Sequence, residues 1–152
     1  PAILVLALDI AKGIAAVRIG AMLSGEHDWL PSLCGLLVIV GHNWPVFFGF
    51  KGGKGIAAAI GVLATISFLP ALYAGIIAIL SIVVTRYVSL GSLLFTLLCP
   101  VFIAFMGRPQ PVLWASLAIA LLAVIRHRTN ILKLMRGEEN KLGKSVGQPT
   151  DR

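Results

Sequence analysis

Apolar residues fall in six runs, at about 2–24, 30–50, 55–69, 70–85, 88–106 and 110–125, separated by short polar or turn-forming stretches: GEHD, KGGK, LP, TRY and GRPQP. A hydrocarbon core ~30 Å thick takes about 20 helical residues to cross. The pattern therefore predicts an all-α, polytopic membrane helical bundle with about six transmembrane helices. The runs 55–69 and 70–85 are short for that thickness, and Pro70 between them fits a kink as well as a turn. From Arg126 the chain turns hydrophilic. RHRTNILKLMRGEENK, residues 126–141, suits an amphipathic helix in the membrane interface, followed by a basic tail.

Composition agrees, since 58% of the 152 residues are hydrophobic and 12% charged, with a mean hydropathy of +0.94. Soluble domains carry about twice that share of charge. Six crossings would use nearly the whole chain, so residues 1–152 read as a single integral membrane domain, with 126–152 as cytoplasmic helix and tail. The net charge of +7 does not signal nucleic acid: seven of the thirteen Lys and Arg lie from Arg126 onward, without interleaved aromatics, as suits a tail beside an anionic leaflet. With six spans both ends share a side, which collects Lys51, Lys54, Arg86, Arg126 and Arg128, while the opposite loops hold Glu26, Asp28 and Arg108. The positive-inside rule puts that basic side, with KGGK, TRY and RHRTN, at the cytoplasmic face. Trp29, Trp44 and Trp114 fall near span ends as interfacial anchors, and Cys34 and Cys99 read as small buried hydrophobes without metal-site companions. The first run carries Asp9, Lys12 and Arg18, unlike a signal peptide, and the chain opens at Pro1, so its start is expected to lie inside a longer protein.

Within this frame a few polar residues could carry chemistry. Asp9 and Lys12, three apart on one helical face, can pair and so lower the cost of charge in lipid. That pair can be purely structural or can orient a site. His42 and Asn43 open GHNWPVFFGFKGGKG, residues 41–55. The glycines Gly52, Gly53 and Gly55 let backbone amides approach an oxyanion while Lys51 and Lys54 neutralise it. A nucleotide P-loop is not matched, because Gly49 to Lys54 is one residue short and Gly55 stands where a hydroxyl would hold magnesium. A flexible basic turn would show the same composition. Ser89 begins the fifth run with no local base and so suits a hydrogen bond to substrate. His127, Asn130 and Lys133 recur at i, i+3 and i+6, on roughly one side of the last helix; an interfacial helix explains that spacing without catalysis.

DIAKG at 9–13, GHNWPVFFGFKGGKG at 41–55, SLG at 89–91 and RHRTNILKLMRGEENK at 126–141 together resemble the bacterial acyl-phosphate:glycerol-3-phosphate acyltransferases. These are integral enzymes of the bacterial cell membrane that begin phospholipid synthesis. The resemblance implies transfer of a fatty acyl group from acyl-phosphate to the 1-hydroxyl of glycerol 3-phosphate, giving lysophosphatidic acid and phosphate. Carried over by position, Lys51, Gly52, Gly53, Lys54 and Gly55, with His42 and Asn43, would hold substrate phosphate. Ser89, His127 and Asn130 would contact glycerol 3-phosphate, and Glu139 would order the last motif. An activated donor asks mainly for alignment and charge neutralisation, and orientation suits His127 better than base catalysis because its motif places no tuning carboxylate. The H-x-x-x-x-D pattern of another acyltransferase class is absent, since Phe47 stands where Asp would. No cofactor, metal or obligate protein partner is expected; the partners are the two substrates and the bilayer, not nucleic acid. The family usually begins with another span and a Ser/Gly/Asn-rich loop, so seven spans would be expected in the complete enzyme and little activity from these 152 residues alone. The alternative is a small membrane anion or phosphate transporter, which should show inverted repeats. KGGKG has no second copy.

Overall fold

A computed structural model describes residues 2–143 apart from His27 and Lys51; the tail over 144–152 lies outside the described residues. Each apolar run becomes a helix: α1 Ala2–Leu23, α2 Leu30–Asn43, α3 Ile56–Ile66, α4 Phe68–Thr85, α5 Val88–Phe105 and α6 Gln110–Arg126, followed by the short α7 Arg128–Met135. A 3-10 turn, Val46–Phe48, lies between α2 and α3, and the described residues contain no strand.

By length and composition α4 and α5 can each cross a membrane, and α6 with α7 would make a third crossing if that pair, bent by 64°, counts as one. The remaining apolar helices α1, α2 and α3 miss that measure for two physical reasons. Asp9, Lys12 and Arg18 interrupt the apolar character of the 22-residue α1. α2 and α3 have 14 and 11 residues, hence lengths of roughly 21 and 16 Å against a core of ~30 Å. The break between α3 and α4 falls at Ser67, with φ −155° and ψ 79°, not at Pro70. Proline is the third residue of α4, where an amide has no partner within the helix to lose.

The helices pack through glycine. A Cβ at Gly13 of α1 would collide with the carbonyl oxygen of Ala58, and one at Gly61 of α3 with that of Ile10. Bare backbone on both sides lets α1 and α3 approach closely, which matters in lipid because helix association there relies on dispersion and weak Cα–H···O contacts. Gly91 serves α5 likewise, since its Cβ would strike Ile82 of α4. Val17, Ile39, Val62, Leu63, Ala74, Cys99 and Ile119 form the buried centre. Cys99 is thus the small core residue anticipated, while Cys34 is half-buried beside Gly20. Leu4, Ile79 and Val84 are 63%, 62% and 81% exposed, an apolar exterior of the kind that lipid covers. The last turns of α2 and α6 and the first turns of α3 and α5 meet at one end of the bundle, around a polar cleft.

Candidate active site

The loop from α2 to α3 lies against the end of α2, and its glycines are needed for that fit. A Cβ at Gly52 would collide with the carbonyl oxygen of His42, and one at Gly53 with His42 Nε2. At Gly55, which caps α3 with φ +76°, a Cβ would lie 2.6 Å from Asn43 Oδ1; glycine alone combines that room with a left-handed backbone. The loop carbonyls are held from the other side by Arg126. Its Nη2 donates to Gly52 O and Gly53 O, both at 2.7 Å, and its Nε to Gly53 O at 3.1 Å. The guanidinium carbon sits 5.5 Å from the centroid of the Trp44 ring, a cation–π arrangement that fixes the fork. Trp44 is therefore more than a membrane anchor.

A second chain of contacts joins the three motifs. Lys54 Nζ donates to Asn130 Oδ1 at 2.7 Å, Asn130 Nδ2 to Glu139 Oε1 at 2.8 Å, and Ser89 Oγ to the same Glu139 oxygen at 3.0 Å. Residues 138–142 lie over the start of α5, where Leu142 N donates to Arg86 O at 2.8 Å and Lys141 Nζ stands 5.4 Å from the Tyr87 ring centroid. Glu139 thus joins its segment to the start of α5 and to α7. Its partner Ser89 lies 50 residues away in sequence.

The two histidines of the cleft differ in polarity. His127 is 2% exposed at the bend between α6 and α7, with Nδ1 2.9 Å from Ala123 O. A carbonyl only accepts, so Nδ1 carries the hydrogen and neutral Nε2 is an acceptor. Burial holds this imidazole below its ordinary value of 6.5, helped by Lys54 and Arg126 and opposed by the Ala123 carbonyl and Glu139. His42 is the reverse case. Lys12 Nζ lies 2.6 Å from His42 Nδ1 and 2.6 Å from Asp9 Oδ1. An ammonium only donates, so Nδ1 accepts and Nε2 carries the hydrogen. Asp9 Oδ1 lies 3.5 Å from His42 Nδ1, so the Asp9–Lys12 pair and His42 form one polar cluster.

Lys54, Gly55, Ser89, Asn130, Glu139 and both imidazoles line one cleft of about 380 Å³ at the N-terminus of α3. Unpaired helix amides and a lysine there suit an oxyanion. Gly52 and Gly53 instead face an adjoining cleft with Lys12 and His42. Asn43 is fully buried, its two amide atoms have no partner among the described residues, and it reaches the cleft only through Gly55. Lys51 lies outside the described residues. Lys133 is exposed and does not line the cleft. Among the described residues no three His, Cys, Asp or Glu side chains converge as a metal site requires. Sequence reasoning missed Arg126 as a loop contact; its place beside His127 in the last motif was the available signal.

Fold and site define a helical membrane protein with a polar, lysine-bearing cleft at one end of its bundle. A family model described as glycerol-3-phosphate acyltransferase matches residues 1–137. A glycerol-3-phosphate acyltransferase of Shouchella clausii (strain KSM-K16) is 53% identical over 149 residues, covering 95% of this chain and 73% of that protein. One from Neisseria meningitidis serogroup B (strain ATCC BAA-335 / MC58) is 42% identical over 140 residues, covering 90% and 70%. The crystal structure of PlsY (YgiH), an integral membrane glycerol 3-phosphate acyltransferase, in its glycerol 3-phosphate form, matches with a TM-score of 0.87 at 38% identity, over 93% of this chain and 70% of that one. The lysophosphatidic acid form of that enzyme matches with the same score and identity, over 93% and 72%. The chain belongs to the glycerol-3-phosphate acyltransferase family and is an acyltransferase.

Proposed function

We propose that the protein transfers a fatty acyl group from an acyl-phosphate to the 1-hydroxyl of glycerol 3-phosphate, giving lysophosphatidic acid and phosphate. One observation carries this reading. The polar cleft of Lys54, Ser89, His127 and Asn130 adjoins an apolar groove of about 350 Å³ between α3, α4 and α5, with Ile56 and Ser92 lining both. A site with a charged head and an apolar tail fits a phosphorylated donor whose other end is a fatty chain, and the product that keeps both. The relative solved with glycerol 3-phosphate and with lysophosphatidic acid adds support.

In this reading Lys54 and the first amides of α3 hold phosphate oxygens, while Ser89 and Asn130 contact the glycerol end. His127 Nε2 accepts the hydrogen of the 1-hydroxyl and so directs the oxygen at the acyl carbonyl, and His42 Nε2 offers a donor on the facing wall. The hydroxyl oxygen bonds to the carbonyl carbon as the bond from that carbon to the phosphate oxygen breaks. The departing phosphate can take the released proton, so His127 need only orient. Alignment of two bound reactants and neutralisation of their phosphates are the two large contributions this inventory supplies. The cleft belongs on the cytoplasmic side, where the basic loops gather.

The test is made on the protein as its gene encodes it, in membranes of a host without its own acyltransferase. Acyl-phosphate and labelled glycerol 3-phosphate should give lysophosphatidic acid and an equal amount of phosphate, whereas acyl-coenzyme A should give none. Product from acyl-coenzyme A at a comparable rate sinks the proposal, as does no product from acyl-phosphate.

A further inference from the structure

The apolar groove has a length as well as a mouth. It starts where Ile56 and Ser92 meet the polar cleft and follows α4 past Ile82 and Gly75 to Phe68. At ~1.5 Å per helical residue, Gly75 lies about 10 Å and Phe68 about 21 Å from the level of Ile82. An extended hydrocarbon built of ~1.5 Å bonds advances about 1.3 Å per carbon, so those depths correspond to about eight and about sixteen carbons.

Gly75, like Gly41 near the end of α2, differs from the glycines that sit at helix contacts. At Gly13, Gly61 and Gly91 a Cβ would collide with a neighbouring helix, whereas at Gly75 it would meet no atom within 4 Å. Glycine within a helix costs backbone entropy, and packing does not require it here. The space beside it is the groove itself, whose wall it forms.

We propose that Gly75 determines acyl-chain length: by adding no side chain to the wall it leaves the groove open beyond about the eighth carbon, so a long chain can run on to Phe68. This rests on the acyl-phosphate reading above, in which the groove holds the donor's chain.

The experiment compares lysophosphatidic acid formation from acyl-phosphates of sixteen and eight carbons, in membranes carrying the protein as its gene encodes it. Gly75→Leu should lower the ratio of long-chain to short-chain turnover by at least about tenfold, in line with what one misplaced methylene does in a hydrophobic pocket, while short-chain turnover persists. Gly75→Ala should shift the ratio the same way by less. Phe68→Ala, at a position 62% exposed, should raise turnover of chains longer than sixteen carbons relative to sixteen. If Gly75→Leu is inactive with every chain, the two alanine variants decide. A ratio unchanged in Gly75→Ala and Phe68→Ala, with the unaltered protein active, overturns the role of Gly75 and leaves the acyl-phosphate reading standing. No turnover of either chain by the unaltered protein overturns both.

Discussion

Replacing Arg126 with alanine should raise the KM for glycerol 3-phosphate about thirty-fold and lower kcat far less. Arg126 touches the loop from behind, through the carbonyls of Gly52 and Gly53, so its removal loosens the wall that bears Lys54 without deleting a contact to the reacting atoms. The Nη2 bond to Gly52 O is partly buried and the two bonds to Gly53 O are exposed. A sheltered hydrogen bond from a charged donor contributes about 1.5–3 kcal/mol, exposed ones much less, and stacking on Trp44 about 0.5 kcal/mol. A total of about 2 kcal/mol in ordering the loop corresponds to about thirty-fold in an equilibrium constant. Arg126→Lys keeps the charge and loses the planar fork, so it should recover only part of the difference. Steady-state kinetics in native membranes, with glycerol 3-phosphate varied at saturating donor, read the effect. A KM within about twofold of the unaltered protein in Arg126→Ala would refute the latch. Full recovery in Arg126→Lys would show that charge matters there and geometry does not.

Gly61→Leu should lower the thermal transition in detergent, since overpacking a tight contact costs about 1–3 kcal/mol or more and the carbonyl of Ile10 cannot move aside without α1; a transition unchanged from the parent contradicts the close approach. The His127 imidazole, held by burial below its ordinary value of 6.5, should keep kcat/KM level from about pH 8 to that value and let it fall on the acid side, where protonation removes the Nε2 acceptor. Stability follows the same sign: with the folded value depressed, the unfolded chain binds the proton first, so stability is intact above 6.5 and declines as pH falls below it. His127→Gln should abolish the dependence, and an acid limb that survives in that variant would assign it to another group. Glu139→Ala strands the donors of Ser89 and Asn130 and should cost about 1–3 kcal/mol, whereas Glu139→Gln, which keeps an accepting oxygen, should lose less. Equal losses in denaturant or thermal unfolding would show that the carboxylate charge, and not its acceptor, holds the segment.

The helices were legible because the apolar runs are long and their separators are strong turn formers. Their lengths were less so: Asn43 ends α2 where the apolar run continued to Phe50, since Pro45 and Gly49 break the helix without breaking hydrophobicity. Pro70 drew attention as a break because proline usually ends helices, yet it sits where a helix tolerates it. The candidate site was legible as a set of motifs, and Lys54, Ser89, His127 and Asn130 do share a cleft. How they connect was not, because Lys54 meets Asn130 across 76 residues of sequence and no local pattern encodes such a pairing. The burial of Asn43 was hidden for a related reason: a motif names residues but not which of them face inward. Gly75 carried no signal at all, since a glycine in an apolar run looks the same whether it fits a neighbour or leaves a space.

The chain of contacts from Lys54 through Asn130 and Glu139 to Ser89 has a consequence in time. The loop before α3 and the start of α5 leave the ribosome well before residues 130–139 exist. Until that last stretch is made, Lys54 and Ser89 have no common partner to bring them into register, and the groove lacks a finished mouth. A nascent chain can therefore settle its crossings in the bilayer while remaining unable to use the lipid precursors around it. The contacts that link these elements form only when residues 138–142 reach the start of α5.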